Sequence, residues 1–490
     1  MRIFTSLKLL VVTLFFASGF ADLYAQNSIV QGVIVDDYGI NIPGAAVMIE
    51  SLNKGVVSNQ DGKFTFLNVP QGSHQIVVKY LGFKDTFTPI DVTAGETLAV
   101  SILLTSEETR LDDVQITGFS GGGQARALNT QKNNLNITNV VSTDQIGKFP
   151  DANIGDATKR IPGITMQMDQ GEARNIIVRG LAPQLNSVTL NGSRIPSAEG
   201  DNRNVQMDLI PSDMIQTIEV NKAVTPDMDA DALGGSVNLV TRSTPQSFRL
   251  SATGGSGVNF INDKRILSGS FLIGDRSKDK KFGWLVSASI NDNDFGSDNV
   301  EAEWSNTFAY TDAAGEETEL DVNPYTSVFE TRKYLVQRVR RSFSANMDYN
   351  FDENNEIYLK TMYNWRDDRE NRFAYSSEIL DAEDIEVGDF ELTNNTPSQF
   401  PVEAKRETKG GIPGGRTQNR RLEDQRMQNY SLGGNHIFGN LKFTWMGSFA
   451  KASEERPNER YLVYASEYAV NNTVTNNRKP LHTSVTAEDF

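Results

Sequence analysis

Residues 341–352 read RSFSANMDYNFD, and the spacing of side chains in this stretch decides the fold. Phe343, Ala345, Met347, Tyr349 and Phe351 fall on every second residue, with Ser342, Ser344, Asn346, Asp348, Asn350 and Asp352 between them. Successive side chains of a strand point to opposite faces, so this pattern builds one apolar and one wet face. The alternation returns in GWLVSASIND (283–292), where Trp284, Val286, Ala288 and Ile290 share a face. EIYLKTMYNW (356–365) groups Ile357, Leu359, Tyr363 and Trp365, and LKFTWMGSF (441–449) groups Leu441, Phe443, Trp445 and Phe449. Seven such strands are predicted, near 248–258, 265–273, 282–291, 340–352, 356–366, 428–438 and 441–451.

A soluble sandwich would show the same local alternation, so the connections must discriminate. GDRSKDKK (274–281), ENN (353–355) and GN (439–440) are short. The stretches opening with NDNDFGSDNVEAEW (291–304) and RDDRENRFAYSSEIL (366–380) are polar and read as long loops. Tight turns on one side and long loops on the other are the asymmetry of a membrane-spanning β-barrel. Trp284, Trp365 and Trp445 are expected in its interfacial girdle. Seven strands cannot close in the usual even-numbered architecture, and barrels holding a separate plug have about 22 strands. The sequence therefore reads as part of a longer barrel.

Upstream, Arg2 and Lys8 precede the apolar run LLVVTLFFASGF, and LYAQ follows with Ala25 as the cleavage point. The run is too short for a bilayer span and has the charge order of an export signal. Short strands with turn signals fill residues 26–105, including Asp61-Gly62 and the Pro70/Gly72 pair, the pattern of a small β-sandwich. Residues 106–124 read as a linker ending in Gly121-Gly122-Gly123. Within it DDVQITG is a β-prone island suited to pairing with a partner's strand. Residues 125–245 read as a compact α/β domain. RNIIVRGLAP and NSVTLNGSRIP are strand–turn units, the second with an Asn191-Gly192 hairpin signal. Ser212 is expected to cap a short helix that leads into a strand.

Composition narrows the chemistry. With a net charge of −16 and no gathered basic stripe, nucleic acid is excluded as a partner. The chain has no Cys and three His, widely separated, so disulfides, thiolate sites and a His-based metal centre are not expected. NDNDFGSDN (291–299) lacks calcium-loop spacing and reads as a solvated loop. DATKR and DDRE are too generic for acid–base catalysis, so no catalytic residue, cofactor or enzyme activity is expected.

GVIVD, PGAAVMI and DGKFTFLNVPQGSHQIVV resemble the carboxypeptidase regulatory-like domain, a sandwich module that implies no peptidase activity. IPGITMQ, RNIIVRGL, VTLNGSRIP and IPSDMIQTIEVNKAVTPDMDADALGGSVNLVTR, across residues 140–242, resemble the plug of TonB-dependent receptors of Bacteroidetes-like bacteria. The resemblance implies a mainly β fold: an N-terminal β-sandwich, an α/β plug domain and the start of an antiparallel transmembrane β-barrel at 246–490. It marks Asp112, Asp113, Val114, Gln115, Ile116, Thr117 and Gly118 as the TonB box, though with Gln115-Ile116 departing from commoner versions. Arg174, Arg179, Gly180, Asn191, Gly192, Gly234 and Gly235 fall in the plug motifs, the glycines as turn residues. Arg174, Arg179, Arg194, Asp208 and Glu219 are expected in plug–barrel or intraplug ion pairs. The implied function is import of an iron chelate or glycan across the outer membrane, in contact with its lipid and powered through the TonB complex. A surface lipoprotein partner is compatible with this. The alternative is a surface ligand-sensing or adhesion receptor without transport.

Overall fold

The computed structural model describes residues 28–106, 121–142, 153–411, 420–473 and 480–485, apart from single positions 38, 135, 201, 227 and 261. The expected export signal (1–25) and the segment 112–118 lie outside the described residues.

Seven strands build the first unit: β1 (Ser28–Asp36), β2 (Ala46–Ile49), β3 (Lys54–Val57), β4 (Lys63–Val69), β5 (Gly72–Lys79), β6 (Thr86–Val92) and β7 (Thr97–Leu104). They form two sheets, ordered β4-β1-β7 and β3-β2-β5-β6. Val30, Ile34, Val47, Phe64, Ile76 and Ile102 fill the space between them. Helix α1 (Gly121–Asn133) follows, so the glycine run expected to end a linker instead opens a helix. Glycine is a poor helix former, and contacts made further along α1 outweigh its propensity. Leu81 N–H donates to Asn129 Oδ1 (3.2 Å), and Asn133 Nδ2 donates to the Gly44 carbonyl (2.7 Å).

The plug comprises β8 (Thr138–Ser142), α2 (Ile154–Thr158), β9 (Ile164–Asp169), β10 (Glu172–Val178), β11 (Asn186–Leu190), β12 (Ser193–Arg194), β13 (Ile215–Asn221) and β14 (Gly235–Thr241). Its main sheet is ordered β12-β11-β14-β13-β8, and β9 and β10 form a separate hairpin. Ile154, Ile176, Leu190, Ile218, Val237 and Leu239 form its core. Ser212 does not cap a helix. It is the first residue of a 3-10 turn whose cap position is Pro211, and the chain passes directly into β13.

The wall strands are β15 (Arg249–Asn259), β16 (Lys264–Arg276), β17 (Phe282–Thr311), β18 (Glu317–Asn350), β19 (Asn355–Ile379), β20 (Glu391–Thr393), β21 (Thr396–Gly411), β22 (Arg421–Phe438), β23 (Leu441–Glu455), β24 (Glu459–Thr473) and β25 (Leu481–Ser484). The lower part runs β15-β16-β17-β18-β19-β22-β23 in chain order, all antiparallel. Higher up, β19 pairs with β21 and β21 with β24, so β21 and β24 continue the courses of β22 and β23. Two expected loops are therefore strands. Residues 291–304 belong to β17, and 366–379 to β19.

Burial on the lower wall is inside out. Phe343 is 54% exposed and Phe351 51%, while Ser342 is 1% and Asn346 2%. Apolar side chains face outward and polar ones face the plug, the reverse of a soluble core. No helix among the described residues is long and apolar enough to cross a membrane, so the outward apolar band belongs to strands. Trp445 lies opposite Gly434, which is opposite Ile357, whereas Trp365 lies eight residues further up β19 (365 − 357). At about 3.3 Å per residue that is about 26 Å along the strand, or roughly 20 Å of height once the strands tilt, a little under the roughly 25 Å of an apolar band. Trp365 marks the upper border, its ring between the guanidiniums of Arg341 (4.9 Å) and Arg426 (5.0 Å). Trp284 stands near the tight-turn end of β17. It pairs with Met347, which pairs with Leu359, two residues along β19 from the level of Trp445.

Candidate functional site: the seam between plug and wall

The plug meets the wall through short polar side chains below and an ion network above. Asn346 Nδ2 donates to the Arg242 carbonyl (2.7 Å), and Ser287 Oγ approaches Met214 Sδ (3.4 Å). Higher on the same inward faces stand Arg338, Arg340 and Arg366, each no more than 1% exposed. They occur there because inward positions repeat every second residue: Arg338 and Arg340 continue the parity of Ser342, and Arg366 continues that of Asn364.

Glu172, on the β9–β10 hairpin of the plug, sits between Arg338 and Arg340 and pairs with both. Burial alone would raise its carboxyl, but the guanidiniums of Arg340 and Arg338 hold it well below the usual carboxylate range. Arg340 Nε donates to the Asp208 carbonyl (2.7 Å), and Arg338 Nη2 donates to Gln170 Oε1 (2.8 Å). Asp208 is fully buried and pairs through Oδ2 with Arg366 of the wall (2.6 Å) and Arg174 of the plug (3.3 Å). Arg174 also pairs with Glu199 and with Asp169 (3.2 Å). Burial disfavours its charge, but Asp208 and Glu199 outweigh burial and raise its pKa above the ordinary value. Arg366 reaches Asp368 and Glu423, both at 3.2 Å, and Arg421 reaches Glu370 (2.6 Å). Above this network a cleft of about 250 Å³ opens between plug and wall, lined by Arg174, Glu199, Arg366, Glu370, Arg421 and Arg456 among others. Its lining can hydrogen-bond a polar ligand from both sides.

The residues singled out in the sequence separate into groups. Arg174 and Asp208 belong to the seam. Arg179 instead ties the plug internally, its Nε donating to the Gly234 carbonyl (3.0 Å) and Nη2 to the Leu233 carbonyl (3.1 Å). Gly180 lies beside Arg179 in a left-handed turn, φ +76°. Gly234 has no room for a side chain, because a Cβ there would stand 2.0 Å from Asn186 Oδ1. Gly235 begins β14. Asn191 and Gly192 both have positive φ (52° and 81°), the type I′ hairpin that Asn-Gly favours. Arg194 forms an exposed pair with Asp231 (2.6 Å). Among the described residues Glu219 has no ion-pair partner: Asn238 Nδ2 (2.9 Å) and Gln60 Nε2 (3.2 Å) donate to it, and burial raises its pKa. Sequence reasoning missed Arg338 and Asp368 because they fell in expected loops, and Arg340 and Arg366 because they stood at the very ends of the expected strands 340–352 and 356–366. Extending the two-residue parity of Ser342 and Asn364 would have found them.

An inside-out wall of strands set against a separate domain, joined to it by ion pairs and exchangeable hydrogen bonds, is the arrangement of the start of a plugged transmembrane β-barrel. Residues 30–116 match the CarboxypepD_reg-like domain, and residues 130–236 match the TonB-dependent Receptor Plug Domain. A TonB-dependent receptor of Formosa agariphila is 24% identical over 269 residues, covering 53% of this chain and 24% of that protein. The TonB-dependent receptor SusC of Bacteroides thetaiotaomicron is 25% identical over 152 residues, covering 31% of this chain and 14% of the relative. The matched stretches thus span about a quarter or less of these relatives' length. Among solved structures, the unliganded ferric citrate transporter FecA is similar at 14% identity and a TM-score of 0.33, covering 70% of this chain and 61% of that one. The chain thus carries a carboxypeptidase regulatory-like domain followed by a TonB-dependent receptor plug domain, and the named relatives it resembles are TonB-dependent receptors of Bacteroidetes. These relatives are receptors and transporters rather than enzymes.

Proposed function

We propose that this chain forms the plug and first wall strands of an outer-membrane importer. Its cargo is a polar ligand too large or too scarce for passive entry, an iron chelate or a glycan. One observation carries the reading: a separate domain fills the wall's polar side and is held there mainly by ion pairs and hydrogen bonds that water can replace, with Met362 and Met427 the wall's apolar contribution. Polar contacts of this kind suit a body that must leave its seat and return, whereas an apolar core would bind it permanently.

On this reading residues 1–25 export the chain, 26–105 form the sandwich, 106–124 carry the TonB-binding segment, 125–245 are the plug and 246–490 belong to the barrel. Asp112–Gly118 is the handle: TonB adds a strand to it and pulls, drawing on the inner-membrane proton gradient. The mixed-charge cleft over Arg174 and Arg366 receives the ligand. A surface lipoprotein acting as a lid suits the likeness to SusC. No step requires catalysis by this chain.

The test deletes residues 112–118 from the full-length receptor. Strains carrying the deletion are grown on polysaccharides or iron chelates as sole source, and ligand binding to whole cells is measured alongside. Uptake should vanish while binding persists. Growth equal to the intact receptor on every source it supports would sink the proposal, as would loss of binding together with uptake.

A further inference from the structure

The ion network fastens the plug on its outer side. A second set of contacts lies at the opposite end, where the sandwich sits against the tight turns of the wall. Gln31 reaches the Glu353 carbonyl, and Thr97 Oγ1 lies 3.2 Å from Asn354 Oδ1. Residues 59–63, the turn from β3 to β4, make the most specific contacts. Three side chains of this turn touch three different parts of the molecule. Gln60 Nε2 donates to Glu219 Oε1 on plug strand β13 (3.2 Å). Asp61 Oδ1 accepts from Ser243 Oγ (2.6 Å), in the segment joining plug to wall, and lies 3.9 Å from Lys360 Nζ of β19. Lys63 pairs with Glu356 of β19 and donates to Asn350 Oδ1 at the end of β18 (3.3 Å).

The turn is preformed for this. Asn59 Oδ1 accepts from the N–H groups of Asp61 (3.0 Å) and Lys63 (2.8 Å). Gly62 has φ +73°, and a Cβ there would stand 2.8 Å from the Ile34 carbonyl. Asn41 Nδ2 extends the contact to the Thr244 carbonyl (3.2 Å). Behind Thr244, Arg276 and Asp348 form a two-pronged pair at 2.8 Å that anchors the plug–wall segment to β16 and β18.

We propose that the sandwich is a clasp: its 59–63 turn fastens the plug to the barrel wall and must open before the plug can move. Charges alternate across the contact, Lys63 to Glu356 and Asp61 to Lys360, which fixes one docking register. Asp61 keeps its charge there. Burial would raise its pKa, but Lys360, Ser243 and Lys63 together lower it. These contacts are hydrogen bonds and ion pairs, which can re-form after opening. One consequence rests on the import reading above. The segment 112–118 is flanked in the chain by β7, part of the sandwich, and by α1, which leans on the sandwich through Asn129 and Asn133. A pull on 112–118 therefore loads the clasp before it loads the plug sheet.

The test uses the full-length receptor in outer-membrane vesicles. In a Gln60→Ala/Asp61→Ala/Lys63→Ala variant, which keeps Asn59 and Gly62, backbone amides of β13 and β14 should exchange hydrogen about tenfold faster or more. Lys63→Glu alone should speed exchange, and Lys63→Glu/Glu356→Lys should return it to within about twofold of the original. Unchanged exchange in the triple variant, with its barrel folded, overturns the proposal; if that variant does not fold, failure of the charge reversal to restore exchange does so. The chain lacks Cys, so Asp61→Cys/Ser243→Cys can be joined by a short bis-maleimide without side reactions. The joined receptor should bind ligand and lose uptake by about tenfold or more, and normal uptake would count against the clasp. A receptor that imports nothing in any form refutes the import reading, and the exchange data then judge the clasp alone.

Discussion

At the scale of single residues, the seam is governed by Glu172. It pairs with two buried guanidiniums that have little access to water: Arg338, which Asp368 also pairs, and Arg340, for which it is the partner carboxylate. Removing one partner of a buried pair leaves the other charged and uncompensated, which costs about 3–5 kcal/mol. Glu172→Ala should therefore loosen the plug by roughly that amount. Limited proteolysis of the plug in vesicles would show it, and native resistance would mean that the hairpin does not hold the plug. Of this cluster, Arg174 was visible in the sequence because it lies in a plug motif, and Asp208 as a charged residue between two of them. Arg338, Arg340 and Arg366 were not, since an arginine in a polar stretch looks the same whether it faces solvent or a lumen. Only its parity relative to a recognised strand tells the two apart.

At the scale of elements, the long hairpins above the membrane band have their own core. Phe308, Tyr325, Ile385, Phe400, Val402 and Val470 pack together, with Tyr325 and Phe400 rings 5.5 Å apart. His482 of β25 is buried beside them. Its Nε2 lies 3.0 Å from the Thr326 carbonyl, which can only accept, so Nε2 carries the hydrogen and Nδ1 accepts from Ser377 Oγ (2.6 Å). Burial pushes the ring's pKa down from 6.5 to about 4, against the raising effect of the Thr326 carbonyl. A lowered folded pKa means the neutral ring is preferred. The associated stability is whole above pH 6.5 and falls as acid is added from 6.5 towards 4, by on the order of 1 kcal/mol per pH unit. Protease cleavage of these hairpins should rise between pH 7 and pH 5, and His482→Phe should abolish that rise. A pH-independent native protein would remove the argument. The lower strands were legible because lipid and lumen impose opposite chemistry on alternate residues. Above the band both faces meet water or protein, the period of two fades, and strands such as 291–304 read as loops. The opening of α1 was hidden for another reason: contacts further along that helix, not local propensity, decide it.

At the scale of the whole molecule, the outward band should fix insertion. Val286 faces outward in the band and is 39% exposed. Val286→Lys should cost about 2–4 kcal/mol in the bilayer and reduce the folded, heat-modifiable receptor recovered from outer membranes. Ser287→Lys, facing the plug, should instead insert normally and disturb the plug. Equal insertion yields for Val286→Lys and the unaltered chain would contradict the orientation. The order of sandwich, plug and wall was readable from motif order alone. The docking of the sandwich was not, because Gln60, Asp61 and Lys63 look like an ordinary surface turn until their partners are brought to them by the fold. The reach of the strands was hidden as well. β18 has 34 residues, whereas about 9–11 suffice to cross the membrane. Allowing for tilt, the surplus lifts the barrel's rim roughly 50 Å above the lipid. A molecule approaching from that side thus meets a tall palisade of protein well before it meets the bilayer.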